Sequence, residues 1–244
     1  MTPFEPARIR AVLLDAGNTL VFLDLERLLP VLREHGARVE LRELEAAERA
    51  ARSTLLRNLP PGANGMEMEA WRAYFLELMT RVGVAPHDLP RVGERVRAFH
   101  HQQHLWTRTE PGTRQVLERL QGDGYRLGVI SNADGRIEAA LQQADLHHVF
   151  EFILDSDVVG IEKPDPAIFR EAAWRMGLEA ERCLYVGDLF PVDVQGAWRA
   201  GMAAVLVDPL GEGHPVPEED VVRIPSVQAL PSLLEGRFAS LEDP

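Results

Sequence analysis

The chain has 244 residues, of which 45% are hydrophobic and 26% charged, and a formal net charge of −12 at pH 7. This is the make-up of an ordinary soluble globular protein, no apolar run approaches the roughly 18 residues that span a bilayer, and the acidic total argues against a nucleic-acid partner, whose phosphates it would repel. A lone cysteine, Cys183, excludes an intrachain disulfide and fits a reducing cytoplasm.

The N-terminal Met-Thr-Pro-Phe-Glu-Pro-Ala-Arg lacks the charged-then-apolar order of a secretory signal. The first element is the apolar run 11–15, which ends abruptly in the Asp15 carboxylate and is followed by a tight Ala16-Gly17-Asn18-Thr19 turn. Residues 21–107 then change character. Leu25, Leu28, Leu29 and Leu32 recur at helical spacing, as do Leu41, Leu44 and Ala47, and then Trp71, Phe75, Leu78 and Met79. Two prolines and two glycines in 58–65 interrupt the segment. This predicts an all-helical insert between the first strand and the second. Its charge differs too: residues 21–110 carry 13 Arg against 13 Asp+Glu, so the net −12 lies entirely in the rest of the chain. The insert's arginines either face an anionic substrate, Arg52, Arg57 and Arg72 being candidates, or form a solvated surface laced with i,i+4 pairs.

Pro111-Gly112 marks the return to strands and helices in alternation. Apolar runs at 126–131, 183–188 and 203–208, with a weaker one at 152–155, each end in a polar or acidic group. Helical patterns at 113–121, 135–143, 165–176 and 192–200, and a short one near 227–234, separate or follow them. Strands alternating with helix-length segments predict an α/β fold with a Rossmann-like parallel sheet core. The core is expected at 1–20 and 108–244 and the helical insert at 21–107. In such sheets ligands bind at the carboxyl ends of the strands, which is where Asp15, Ser131 and Asp188 fall. Lys163 is the only lysine in the chain, and a lysine kept where arginine serves elsewhere suggests a need for a compact point charge. Cys183, inside an apolar stretch, reads as core packing.

Four segments together resemble the haloacid dehalogenase-like superfamily. Asp15-Ala-Gly17-Asn-Thr19 resembles its first motif, DxDxT, with Gly17 in place of the second Asp. Ser131-Asn132 resembles the second, Lys163-Pro the third, and Gly187-Asp188-Leu-Phe-Pro-Val-Asp193 the fourth, GDxxxxD. The resemblance implies that Asp15 is a nucleophile toward a phosphate monoester and forms an aspartyl-phosphate. It implies Mg²⁺ held by Asp15, Asp188 and the Gly17 carbonyl, with Asp193 close by. It further implies that Lys163, Ser131, Asn132 and the backbone N–H groups of Ala16 and Gly17 cradle the phosphoryl oxygens. Thr19 is expected to order the turn by hydrogen bonding, Asp155 and Asp157 to cap the loop before Lys163, and Asp193 either to serve the metal or to cap its helix.

Superfamily phosphatases use the second Asp to protonate the leaving oxygen, so Gly17 implies weak action on alkyl esters. His100, His101 and His104 are candidate replacements for that acid, or else a solvated helix end. Dehalogenases of the superfamily carry a tyrosine at that position, need no metal and lack the Gly-Asp pair, so dehalogenation is disfavoured. Phosphonoacetaldehyde hydrolases need an insert lysine that residues 21–110 lack, and sugar phosphomutases depend on the missing carboxylate. The expected function is a Mg²⁺-dependent phosphatase acting on small phosphorylated metabolites in the cytoplasm. The alternative is a phosphate-binding or regulatory protein with little turnover. Composition does not choose between monomer and homodimer.

Overall fold

The computed structural model describes residues 5–58, 68–209 and 221–236, without the side chains of 68–71. In chain order the strands are β1 (Ala11–Leu14), β2 (Phe22–Leu23), β3 (Trp106–Arg108), β4 (Arg126–Ser131), β5 (Ile153–Asp155), β6 (Cys183–Gly187), β7 (Ala203–Val207) and β8 (Val222–Ile224). The helices are α1 (Leu25–Glu34), α2 (Leu41–Asn58), α3 (Met68–Arg81), α4 (Leu89–Gln102), α5 (Thr113–Gly122), α6 (Ile137–Gln143), α7 (Ser156–Val159), α8 (Pro166–Met176), α9 (Gln195–Arg199) and α10 (Leu230–Leu234).

Six strands form a parallel sheet in the order β5-β4-β1-β6-β7-β8. β1 is fully buried because its two-residue alternation serves both faces. Val12 and Leu14 join the cluster under α5, α6 and α10, and Ala11 and Leu13 the cluster under α8 and α9. The chain runs outward from β1 through β4 to β5, then restarts at β6 and runs the other way. The reversal at β1 is the topological switch point, where open α/β sheets bind ligands. Leu14 is in register with Val129 of β4 and Val186 of β6. The next residues of all three strands therefore emerge together at one edge.

Helices α1 to α4 bury a separate apolar cluster that includes Leu25, Leu28, Leu32, Leu44, Ala47, Leu78 and Met79, while Leu29, Leu41 and Phe75 are only half-buried against it. Asn58, predicted to open the break at 58–65, still ends α2, and 59–65 lie outside the described residues. The Trp71 side chain lies outside them as well.

Three features depart from the sequence expectation. The antiparallel pair β2–β3, which connects the helical insert to the sheet, is too short for a periodicity signal. β8 adds a sixth strand at the sheet edge. The helix expected at 192–200 starts as a widened π-type turn, Phe190–Val194, and becomes α-helical only at Gln195.

Candidate active site

Asp15 leaves β1 buried, its N–H donating to the Val186 carbonyl across the sheet (2.8 Å). The following turn is closed by its own backbone. The N–H groups of Leu20 and Val21 both donate to the Ala16 carbonyl (2.9 Å each), and Asn18 N–H donates to the Val21 carbonyl (2.8 Å). Asn18 takes φ +56°, a left-handed conformation that asparagine tolerates. The expectation for Thr19 is thereby corrected: its hydroxyl is buried with no hydrogen-bond partner among the described residues, and the turn does not need it.

Lys163 reaches the same edge from the loop before α8. Its Nζ donates to Asp15 Oδ1 (2.6 Å), Asp193 Oδ1 (2.7 Å) and Tyr185 Oη (2.9 Å), so all three ammonium donors are satisfied inside the protein. The loop is pinned by Asn132, whose amide donates to the Lys163 carbonyl (2.9 Å) and whose Oδ1 accepts the Lys163 N–H (2.8 Å). Asn132, expected on the phosphoryl group, thus braces the loop that carries Lys163. Tyr185 also donates from β6 to the Ile130 carbonyl of β4 (3.1 Å). The sequence reading missed Tyr185, which looks like any strand aromatic, although a buried tyrosine hydroxyl does usually mark a polar partner.

Asp188 follows β6, and Asp193 sits in the widened turn. Asp193 Oδ2 accepts the Leu189 N–H (2.9 Å) while Oδ1 faces Lys163, so one side chain both caps the turn and joins the cluster. This close approach explains Gly187. A Cβ there would lie 2.6 Å from Asp193 Oδ2 and 2.7 Å from its Cβ. Gly187→Ala is therefore expected to push Asp193 off Lys163 and to destabilise the fold by about 1–3 kcal/mol. Urea denaturation checks this; unchanged stability would mean the turn relaxes freely.

From the helical insert, Arg52 on α2 places Nη2 3.2 Å from Asp188 Oδ2, both side chains being buried. Of the three candidate arginines, only Arg52 is brought to the carboxylates. Arg57 is exposed and donates to Ser53 Oγ (2.6 Å), and Arg72 is exposed. Arg27, Arg33, Arg81 and Arg91 form partly exposed pairs with Asp24, Glu40, Glu77 and Asp88, the solvated surface that was the other expectation.

The three carboxylates thus meet two cations. Burial pushes Asp15 up to about 7 against the pull of Lys163, and Asp193 and Asp188 raise it further. Burial likewise pushes Asp188 up to about 6, moderated by Arg52. Burial alone would lower Lys163, but Asp15 and Asp193 hold it above its ordinary value. The cluster fits a hard divalent cation, which wants oxygen ligands: oxygens of Asp15, Asp188 and Asp193 lie within 4.8 Å of one another. With all three ionised, it also keeps one uncompensated negative charge. Ser131 lies buried at the end of β4, on the same edge.

Beside Gly17 there is open space: an added Cβ would meet nothing nearer than Trp106 Cδ1 at 4.0 Å. Against Trp106 pack His100 and His104, with ring centroids 5.7 and 6.4 Å away. The reading of a solvated helix end holds for His101, which is exposed, and is corrected for the other two, since His104 is buried and His100 half-buried. Burial lowers both rings, His100 to about 4, so they are neutral at pH 7 and poor proton donors. With Asp134 they form a second cluster of possible ligands, but it does not suit a cation. Their Nδ1 atoms already accept the N–H groups of Leu105 and Trp106 (3.2 Å each), and Arg136 holds Asp134 (Nε–Oδ2 3.0 Å). Arg136 also donates to the His100 carbonyl (2.9 Å) and so ties the end of α4 to the sheet domain.

Of the two acidic residues expected to cap the loop before Lys163, one is shown to do so. Asp155 accepts the N–H groups of Gly135 (3.0 Å), Asp157 (3.1 Å) and Ile137 (3.3 Å), as a cap would, whereas Asp157 is exposed. Cys183 is buried and pushed up to about 12 by that burial, which makes it inert. Among the described residues no helix is long and apolar enough to cross a membrane.

A family model described as haloacid dehalogenase-like hydrolase matches residues 9–201. The chain is 42% identical over 111 residues to the glyceraldehyde 3-phosphate phosphatase of Methanothermobacter thermautotrophicus, a match covering 45% of this chain and 49% of that protein. The chain thus spans about half the length of this curated relative. It is 30% identical over 235 residues to haloacid dehalogenase-like hydrolase domain-containing protein 3 of Mus musculus, covering 93% of this chain and 91% of the mouse protein. The solved 2-haloacid dehalogenase of Pseudomonas syringae pv. Tomato DC3000 superimposes with a TM-score of 0.57 at 25% identity, covering 95% of this chain and 100% of that one.

Proposed function

The chain belongs to the haloacid dehalogenase-like hydrolases, and from that membership we propose that it is a Mg²⁺-dependent phosphatase of small phosphorylated metabolites, acting in the cytoplasm. The observation that carries this reading is the buried Asp15–Lys163–Asp193 bridge at the sheet edge. A carboxylate nucleophile, a fixed ammonium and a spare acidic charge are the parts that phosphoryl transfer through an aspartate requires. Asp15 attacks phosphorus in line, the ester oxygen leaves, and water then hydrolyses the aspartyl-phosphate. Lys163, Ser131 and the N–H groups of Ala16 and Gly17 hold the phosphoryl oxygens. Asp15, Asp188 and the Gly17 carbonyl, with Asp193 close by, would hold Mg²⁺, which when bound neutralises the phosphoryl charge. Residues 1–20 and 108–244 form the catalytic core, and 21–107 act as a cap that shields the reaction from water.

Gly17 shapes the substrate preference. The neutral histidines near Trp106 are poor replacements for the missing acid, so leaving groups that depart without a proton are favoured. General acid–base assistance contributes roughly 10²–10⁴-fold in rate, and alkyl esters lose the most by its absence. We therefore expect p-nitrophenyl and acyl phosphates to be turned over faster than glyceraldehyde 3-phosphate, the substrate that names the Methanothermobacter relative. A phosphatase panel with and without Mg²⁺ tests this: turnover of the first two should require the metal. The gap at Gly17 also favours a second reading, a phosphate-binding protein with little turnover. A silent panel from a protein that still binds Mg²⁺ would support it over the first.

A further inference from the structure

Arg52 brings a positive charge from the helical insert into the carboxylate cluster of the sheet domain. It is 7% exposed, and among the described residues its one ion pair is with Asp188, Nη2 to Oδ2 at 3.2 Å. Its Nε is buried with no hydrogen-bond partner among the described residues. A guanidinium presents five N–H donors in a rigid fork, and leaving one unsatisfied in the interior is costly. Lys163 contrasts with it, because all three of its donors are used. The protein therefore completes the environment of Lys163 but leaves that of Arg52 open, beside an acidic residue that the proposed function assigns to Mg²⁺.

Asp188 cannot serve both partners well. A dication and a guanidinium drawn to one buried carboxylate repel each other strongly where the dielectric is low. We propose that Arg52 is an exchangeable counter-ion: it neutralises Asp188 in the metal-free protein and is displaced by the cation onto an anionic group of the substrate. The freed fork suits a phosphate or carboxylate oxygen pair, and the open Nε–H becomes one of its donors. Metal loading then decides when the helical insert offers its anion-binding side chain. Because binding free energies are reciprocal, the arginine must weaken Mg²⁺ binding as much as the cation weakens the Arg52–Asp188 pair. This inference rests on the reading of Asp188 as a metal ligand.

The test is calorimetry on the full chain at pH 8, with Mg²⁺ and then inorganic phosphate as titrants. Arg52→Gln should bind Mg²⁺ about tenfold more tightly than the parent protein, within the usual range of couplings between sites. In saturating Mg²⁺ it should bind phosphate about tenfold more weakly. Arg52→Lys keeps the charge without the fork, so Mg²⁺ affinity near the parent value and intermediate phosphate affinity are expected, and this variant guards against misfolding of the first. Unchanged or weaker Mg²⁺ binding in Arg52→Gln would overturn the exchange. Asp188→Asn separates the two ideas. If it abolishes Mg²⁺ uptake while Arg52→Gln leaves the affinity unchanged, only the exchange fails. If it leaves Mg²⁺ uptake intact, the metal assignment fails with it.

Discussion

Asp15→Asn lowers turnover of p-nitrophenyl phosphate by about 10⁴-fold or more, the scale on which loss of a covalent nucleophile acts, while the fold remains intact. The amide has nearly the shape of the carboxylate, and its oxygen can still accept the Lys163 Nζ–H that now lies 2.6 Å from Asp15 Oδ1. What it lacks is the negative charge that makes a carboxylate oxygen nucleophilic toward phosphorus. The stability side of the experiment has a definite sign. Burial raises Asp15 from 3.8 to about 7 in the folded chain. Its favourable share of stability is therefore fully present only below pH 3.8 and is lost as pH rises through about 7. Above that pH the ionised carboxylate is a burden on the metal-free fold. The Asn variant, without divalent cations, should then melt at or above the parent temperature at pH 8, and its advantage should shrink toward pH 5. Thermal denaturation at the two pH values measures this. Residual turnover within tenfold of the parent, from a variant that melts normally, would mean that Asp15 is not the nucleophile.

Gly17→Asp should raise turnover of an alkyl phosphate such as glyceraldehyde 3-phosphate by about 10²-fold, and that of p-nitrophenyl phosphate far less. Nitrophenolate leaves readily, whereas an alkoxide needs a proton at the moment of bond breaking. The backbone permits the change, because Gly17 lies outside the left-handed region and the nearest atom to an added Cβ is Trp106 Cδ1 at 4.0 Å. In contrast to Gly187, where an added Cβ would collide with Asp193, Gly17 is a glycine without a steric reason. Steady-state kinetics on both substrates decides the matter. Equal gains for the two leaving groups would show that another residue already protonates the ester oxygen.

What could be read in advance follows from how local each signal is. β1, β4, β6 and β7 are short apolar runs ending in polar groups, and buried parallel strands produce that pattern directly. Asp15, Ser131 and Asp188 were therefore visible as strand ends. Lys163 stood out as the only lysine in the chain. Contacts between distant segments leave no such trace. Nothing in the sequence marks Asn132 as the residue onto which the loop carrying Lys163 folds with two hydrogen bonds. Arg52 was one of 13 arginines in residues 21–110, and only its buried pairing with Asp188 after β6 separates it from its solvated neighbours. His104 resembled the polar end of a helix, yet the β2–β3 connection folds Trp106 back over it. Thr19 failed for a simpler reason: the turn it was expected to tie is already closed by main-chain N–H groups.

Mass analysis of acid-quenched single turnovers tests the central claim most directly. Protein mixed with p-nitrophenyl phosphate and Mg²⁺, quenched within one catalytic cycle and digested, should yield one peptide heavier by a phosphoryl group, with the label on Asp15 and absent from Asp15→Asn. Phenolate release from a protein whose Asp15 peptide is never modified, with inversion of configuration at phosphorus, would mean that water attacks the ester directly.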